Sequence, residues 1–280
     1  MIRKPAVSGS FYPSSPSSLD RILRALFEEA SGAVPRPNLS GPRAILGLMV
    51  PHAGYQYSGA VAAAGYSRLA RDGVPETFVL VGPNHWGLGP AVSVFPEGTW
   101  LTPLGAARVD SELAAIIASE GPAEADELAH LREHSIEVQI PFLQMIYGSD
   151  VRIVPIAMRD QSFETSSSLA GVVREAAERL GRDVVVIASS DMTHYEPQER
   201  AVRKDRWVLE ALTSMDEREF YRRVVEGNVS MCGPGPAVVA LVFSKLSGAS
   251  RAELVRYSTS GDVTGDYLQV VGYASVVFER

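Results

Sequence analysis

The sequence is poor in cysteine and lysine. Among its 280 residues Cys232 is the single cysteine, so no disulfide can form within the chain, which fits a reducing compartment. The 26 basic residues include only three lysines, and the arginines are scattered along the chain. The formal net charge is −7, which argues against a surface for nucleic acid or for an anionic membrane.

Segments that direct a chain into or across a membrane are also missing. No apolar run reaches the roughly 20 residues that span a bilayer, and the first residues lack the apolar stretch of a signal peptide. Hydrophobic residues make up 46% of the chain and charged residues 21%, as in ordinary globular proteins. We therefore expect a cytoplasmic protein with no nucleic-acid and no membrane partner.

Three widespread motifs are absent as well. Neither a Walker loop nor Gly-x-Gly-x-x-Gly follows a predicted strand, so nucleotide binding has no support. No Gly-x-Ser-x-Gly elbow is present either. Ser189 or Ser190 with Asp191 and His194 could be arranged as a hydrolase triad, but residues so close along a chain seldom form one.

Apolar β-branched runs alternate with segments of helical periodicity along the whole chain. Buried strands are predicted at 44–50, 77–81, 151–157 and 183–188, and helices at 59–71, 111–119, 163–180, 199–212 and 217–226. This alternation predicts an α/β sandwich with a central, largely parallel or mixed β-sheet flanked by helices. No repeat or linker divides the chain, so residues 1–280 are predicted to form a single domain.

Local signals give three further expectations. A helix is predicted from Glu133 to Leu143, with a kink or break at Pro141. The sequence from Gly233 to Pro236 predicts a turn rather than a helix. His130 is expected on the surface.

Histidines recur just after the predicted strands. They are His52 after 44–50, His85 after 77–81, and His194 after 183–188. In open α/β sheets ligands bind beyond the carboxyl ends of the strands, so three histidines on neighbouring strands would converge on one site. Ser190 and Asp191 follow the third strand, and the alternative for them is to cap the helix that begins near Gln198.

Imidazole and thiolate side chains suggest a transition-metal centre. His52, His85 and Cys232 would suit Zn²⁺, iron or copper and would leave one coordination position open. The alternative for Cys232 is a buried, small apolar residue. His194 is the candidate acid–base residue, with Asp191 placed to orient it or to join the metal. His134 either lines the same pocket or sits at a polar helix terminus.

Longer motifs carry a resemblance to a known family. They are Arg3-x-Pro-Ala-Val-x-Gly-x-Phe-Tyr-Pro13, Pro51-His-Ala-Gly-Tyr-x-Tyr-Ser-Gly59, Gly82-Pro-Asn-His85, Thr102-Pro-Leu-Gly105, Glu133-His-Ser-Ile-Glu-Val-Gln139, Ser189-Ser-Asp-x-x-His-Tyr195, Cys232-Gly233 and Ser260-Gly-Asp-Val-x-Gly-Asp266 with Val271-Gly-Tyr273. Together they resemble the Memo family, which is also called AmmeMemoRadiSam system protein B in prokaryotes.

The resemblance implies a fold like that of the class III (LigB-type) extradiol dioxygenases. It implies metal ligation by His52, His85 and Cys232, with iron or copper favoured over zinc, and the acid–base position at His194. Asp191 is implied as a further ligand or catalytic residue. The residues in these motifs that we expect to contact a substrate are Tyr55, Asn84, His134, Ser190 and Tyr195. The resemblance also implies functional association with AMMECR-type and radical-SAM proteins.

Three functions follow from these observations. The first is a metal-binding protein with a redox or metal-handling role. The second is an active metal-dependent oxygenase or hydrolase on a small molecule. Cys232 replaces the carboxylate of the dioxygenases, and a thiolate is open to oxidation, which argues against ring cleavage. The third is a non-enzymatic module that binds a peptide or protein in the cleft.

Overall fold

The computed structural model describes residues 1–280 and shows an α/β fold built on one mixed sheet of twelve strands. The strands are β1 (Ile2–Arg3), β2 (Ile45–Val50), β3 (Thr77–Pro83), β4 (Val92–Val94), β5 (Thr99–Thr102), β6 (Gly105–Val109), β7 (Ala123–Ala125), β8 (Arg152–Met158), β9 (Val184–Ser189), β10 (His194–Glu196), β11 (Arg251–Thr259) and β12 (Val270–Glu279). The predicted fold class is confirmed.

Nine helices accompany the sheet. They are α1 (Pro16–Ser31), α2 (Tyr55–Ala70), α3 (Ser111–Ser119), α4 (Ile140–Tyr147), α5 (Phe163–Leu180), α6 (Gln198–Thr213), α7 (Glu217–Glu226), α8 (Pro234–Leu246) and α9 (Ser260–Thr264). None of them combines the length and the apolarity that a bilayer crossing requires.

A parallel block forms the middle of the sheet, and its order brings the predicted histidine-bearing strands together. The main strand order is β1-β5-β6-β8-β3-β9-β2-β12-β10, and β6, β8, β3, β9 and β2 run parallel. Strands β2, β3 and β9 are buried at every position, as expected for parallel strands covered on both faces. Their carboxyl ends therefore lie side by side at one edge.

Helices cover both faces of this block. A side chain at Gly47 of β2 would collide with Ser244 of α8, whereas the next residue, Leu48, lies against Gly65 of α2. Because successive side chains of a strand point to opposite faces, α8 and α2 pack on opposite sides of the sheet. Gly47 and Gly65 allow each helix to approach the strands closely.

Several local expectations are corrected by the structure. The segment from Glu133 is irregular and passes through a 3₁₀ turn at Glu137–Gln139 before α4 begins. Pro141 lies in the first turn of α4, where its missing N–H costs nothing, so it starts the helix and does not kink it. The same logic applies to Pro234, which begins α8 where a turn was expected.

The amino-terminal arm is anchored deep in the protein. The buried Arg3 guanidinium forms an ion pair with Glu137 and donates to the backbone carbonyls of His130 and Glu133. Glu137 also accepts hydrogen bonds from the Tyr12 hydroxyl and from two backbone N–H groups of the arm. These contacts hold the arm against the Glu133–Gln139 segment, which borders the strand ends.

Candidate metal centre

His52 lies directly after β2 and is 3% exposed. Its Nδ1 is 2.9 Å from Ser189 Oγ at the end of β9. Ser189 Oγ donates its own proton to the Ser135 carbonyl at 2.6 Å and accepts from the Gln139 amide at 2.8 Å. The proton between the two side chains must therefore sit on His52 Nδ1, which leaves the lone pair of Nε2 available.

His85 lies just after β3 and is oriented by a buried carboxylate. Its Nδ1 is 2.9 Å from Glu133 Oε1, and its backbone N–H donates to Glu133 Oε2 at 2.7 Å. Burial raises the pKa of Glu133, but the hydrogen bond and charge of His85 outweigh it and lower the pKa to about 2. Glu133 is thus an ionised acceptor, and Nε2 of His85 is left for a metal.

Cys232 lies two residues before α8 and faces the same point. Its Sγ is 3.1 Å from His52 Nε2 and accepts the backbone N–H of Asp191 at 3.1 Å. Gly233 follows it, and a side chain there would lie 2.7 Å from the Ser189 carbonyl oxygen. Burial and the nearby Asp191 carboxylate raise the pKa of the Cys232 thiol.

The predicted ligand set is therefore assembled by the fold. One ligand atom from each of His52, His85 and Cys232 lies within 4.8 Å of the others. Two neutral imidazoles and one sulfur suit a soft or borderline transition metal better than Mg²⁺ or Ca²⁺. A bound cation would also draw off the thiol proton. The residues present fit such an ion.

Asp191 lies in the loop between β9 and β10, and His194 is the first residue of β10. Asp191 Oδ1 accepts the backbone N–H of His52 at 2.7 Å, and burial raises its pKa to about 6. The Ser230 carbonyl, and not Asp191, holds the His194 ring, at 2.8 Å from Nδ1. His194 Nε2 is therefore available as a ligand or as an acid–base group. Asp191, His194 and Cys232 form a second group whose ligand atoms lie within 4.8 Å.

A buried carboxylate supports this loop from behind. Asp205 accepts hydrogen bonds from the backbone and the hydroxyl of Thr193 at 3.0 and 2.6 Å. Its other oxygen accepts the Tyr257 hydroxyl at 2.8 Å. The loop is thus fixed to α6 and β11 and cannot serve as the cap of α6, which begins after Pro197.

His134 lies over the other two imidazoles. Its ring is stacked on His85 at 4.6 Å between centroids and meets His52 edge-on at 5.4 Å. Phe11 of the amino-terminal arm covers it at 4.7 Å. Burial lowers the pKa of His134 to about 4, so it is neutral at pH 7.

A cavity of about 490 Å³ opens above these groups. The residues that line it are Phe11, His52, Ala53, Gly54, Tyr57, His85, His134, Asp191, His194, Tyr195, Ser260, Thr264, Asp266, Gln269, Val271 and Tyr273. Of the expected substrate contacts, His134 and Tyr195 are among them.

Three of the expected contacts lie elsewhere. Tyr55 is buried, and its hydroxyl donates to the Val138 carbonyl at 2.7 Å. Asn84 shapes the loop that follows it through the Leu88 carbonyl and the Gly87 N–H. Ser190 accepts the Gly233 N–H beneath Cys232. None of the three is among the residues that line the cavity, and their hydrogen bonds support the chain around it.

Sequence reasoning missed Tyr57 and most of the residues between Ser260 and Tyr273. Tyr57 lies in the first turn of α2, which begins at Tyr55, before the start at residue 59 that the sequence predicted. The Ser260–Asp266 motif pointed to the residues between Ser260 and Tyr273. Nothing in the local sequence, however, indicates that this loop lies over the strand ends.

Comparison with known proteins agrees with this architecture. A family model described as Memo-like protein matches residues 3–277. MEMO1 family proteins from Methanopyrus kandleri and Methanobrevibacter smithii are 49% and 44% identical, each over 100% of both chains. The MEMO1 family protein of Ignicoccus hospitalis is 47% identical over 99% of both chains. The chain belongs to the Memo family.

A solved structure shares the fold at lower sequence identity. It is that of an uncharacterized protein from Escherichia coli K12, with a TM-score of 0.55 and 15% identity. The match covers 82% of this chain and 99% of that chain. At this identity the likeness concerns the fold alone.

Proposed function

We propose that this Memo-family protein binds one iron or copper ion through His52, His85 and Cys232 and has a redox or metal-handling role. The observation that carries the proposal is the fixed orientation of two imidazoles. Ser189 and Glu133 accept the Nδ1 protons, so both Nε2 lone pairs are left for the point that Cys232 also faces.

When bound, iron or copper would supply a Lewis acid with an open coordination position and a one-electron redox couple. The protein residues would fix the ion and shape the space around that position. Zn²⁺ also accepts this donor set. The preference for iron or copper comes from the resemblance to dioxygenases, and elemental analysis decides between the metals.

The proposal is tested by the metal content of untagged protein purified without oxygen. We expect near-stoichiometric iron or copper in the native protein and a large loss in Cys232→Ser, His52→Ala and His85→Ala. His130→Gln, which alters a buried histidine outside the lined cavity, is the matched control and should keep its metal. Full occupancy in Cys232→Ser would remove Cys232 from the ligand set.

A second candidate is a metal-dependent oxygenase or hydrolase that acts on a small molecule in the cavity. It is favoured by the position of His134 and His194, which line the cavity beside the proposed ligands and could move protons to or from a bound substrate. Oxygen uptake with a panel of catechols tests the oxygenase reaction. In an active protein, His194→Ala should keep its metal and lose turnover.

The third function, a module that binds a peptide or protein in the cleft, is not favoured in the form that recognises a phosphate group on the peptide. The sixteen residues that line the cavity include no lysine or arginine, whereas phosphate recognition ordinarily relies on arginine. Association with AMMECR-type and radical-SAM proteins is a separate proposal that rests on the family resemblance. Co-purification of the three proteins from one expression host tests it.

A further inference from the structure

The outer end of the cavity carries negative charge and no lysine or arginine. The cavity lining contains the carboxyl groups of Asp191 and Asp266 and no basic side chain other than histidine. Asp191 is buried beside the proposed metal ligands, whereas Asp266 lies in the exposed loop that follows α9. The outer half of the cavity therefore presents a carboxylate with no cation opposite it.

Asp266 is held in place without being neutralised. Its Oδ1 accepts the backbone N–H of Leu268 at 2.9 Å, and its own backbone N–H donates to Thr264 Oγ1 at 3.1 Å. These bonds fix a tight turn after α9. They leave Oδ2 of Asp266 unbound, and no arginine or lysine lines the cavity to pair with it.

Three tyrosines line the same cavity as Asp266. Tyr57 and Tyr195 are 38% and 72% exposed, and Tyr273 is 2% exposed. The pKa of Tyr273 is raised by burial and by the nearby Asp191, Tyr57 and Tyr195. The backbone of Tyr195 has a φ of 57°, an uncommon conformation for a non-glycine residue.

We propose that the outer half of the cavity binds an organic cation, with an ammonium group held by Asp266 and the faces of Tyr57 and Tyr195. Aromatic faces attract ammonium groups, and a nearby carboxylate adds charge complementarity. The proposal rests on the proposed function, since it names the substrate class of the same cavity. The amine would lie at the exposed rim while the rest of the molecule extends toward the histidines.

The opposite choice, an anionic substrate, is less compatible with these residues. A carboxylate or phosphate at the rim would meet Asp266 with no arginine or lysine to receive it. Only a metal ion at the floor would attract such a group. The two substrate classes can therefore be separated by measuring binding with and without the metal.

The test is calorimetric titration with three probes that share a phenyl ring and differ in charge. They are 2-phenylethylammonium, 3-phenylpropionate and 3-phenylpropan-1-ol. Titrations are made at pH 8, above the ordinary histidine pKa of about 6.5, on metal-free and metal-loaded protein. The metal-free protein is decisive, because a metal would itself attract the carboxylate.

In metal-free protein we expect the ammonium probe to bind at least about tenfold more tightly than the carboxylate. Asp266→Asn should weaken the ammonium probe by roughly tenfold and leave the alcohol unchanged. Tyr57→Leu and Tyr195→Leu should each weaken it by about three- to tenfold. Glu199→Gln is the control, since it removes an exposed carboxylate that does not line the cavity, and it should have no effect.

Equal or tighter binding of the carboxylate in metal-free protein would overturn the proposal. So would an ammonium affinity that survives Asp266→Asn, or the failure of the ammonium probe to bind at millimolar concentration. Metal content measured on the same samples keeps the two proposals separate. A protein that takes up no metal but prefers the ammonium probe would refute the metal centre and support the cation site.

Discussion

His52 and Ser189 share a proton whose position is set by a third group. His52 Nδ1 and Ser189 Oγ are 2.9 Å apart, and the Ser189 hydroxyl already donates its proton to the Ser135 carbonyl. The imidazole must therefore be the donor, and the tautomer with an unprotonated Nε2 is imposed by the fold. The burial of His52, which lowers its pKa well below the ordinary value, keeps it neutral.

Replacing Ser189 with alanine should release this constraint. The Nδ1–H of His52 and the amide of Gln139 would lose their acceptor, so we expect about 1–3 kcal/mol lower free energy of unfolding. Metal affinity should fall by roughly 10- to 100-fold. Urea unfolding and a chelator competition titration measure the two effects. Ser244→Ala removes a buried hydroxyl with no hydrogen-bond partner and should change neither the stability nor the metal affinity. An unchanged metal affinity in Ser189→Ala would show that Ser189 does not set the His52 tautomer.

Glu133→Gln should weaken metal binding without removing a proposed ligand. The substitution removes the charge that supports His85. It also leaves one oxygen, so the new amide NH2 group faces an N–H donor that Glu133 now accepts. A reduction of about 10- to 100-fold in affinity is expected, measured by competition with a chelator. Glu127→Gln, at an exposed position six residues earlier in the chain, is the control. If both variants bound metal equally well, His85 would not depend on Glu133.

Gly233→Ala should displace Cys232 from His52. The added Cβ would lie 2.7 Å from the Ser189 carbonyl oxygen and 2.8 Å from Ser190 Cβ, so the chain before α8 must shift. We expect roughly 1–3 kcal/mol of destabilisation together with weaker metal binding. Gly171→Ala is the contrasting substitution, since nothing lies within 4 Å of its Cβ in α5. It should stabilise the protein by about 0.5–1 kcal/mol and keep the metal.

His130 should make folding stability depend on pH. It is fully buried, and burial lowers its pKa to about 3 although Asp126 acts in the opposite direction. Between pH 3 and the ordinary histidine pKa of about 6.5, the unfolded chain binds a proton that the folded protein does not. The stability that His130 contributes is therefore present above pH 6.5 and is lost as the pH falls toward 3.

The variant His130→Gln isolates this contribution. Wild type should gain about 1.4 kcal/mol per pH unit relative to the variant between pH 4 and pH 6. Urea unfolding of both proteins across that range measures the difference. Parallel stability curves would show that His130 titrates normally in the folded protein.

The site could be predicted in part because its ligands follow strands. Buried apolar runs identified the ends of β2, β3 and β9, and parallel strands place such ends at one edge. The residues that orient the ligands could not be found in this way. Glu133 is 48 residues from His85, and Ser189 is 137 residues from His52, so only the folded chain reveals these pairs.

The errors have a similar origin. His130 was expected on the surface, but it is buried. Phe95 and Trp100 pack against its ring, and Arg3, 127 residues away, donates to its carbonyl. Pro141 was expected to kink a helix because the apolar period runs through it. The chain before Pro141 is instead pinned by Glu133 and Glu137 to His85 and to the amino-terminal arm, so the helix starts later than its periodicity indicates.

In the proposed metal centre Cys232 is bonded to the metal together with two histidines. X-ray absorption at the edge of the bound metal, recorded for the native protein and for Cys232→Ser, tests it most directly. We expect one sulfur neighbour beside nitrogen neighbours, with the sulfur at the longer distance as in zinc sites (about 2.3 Å against about 2.0–2.1 Å), and no sulfur signal in the variant. A spectrum of the native protein that shows only nitrogen and oxygen neighbours would contradict it.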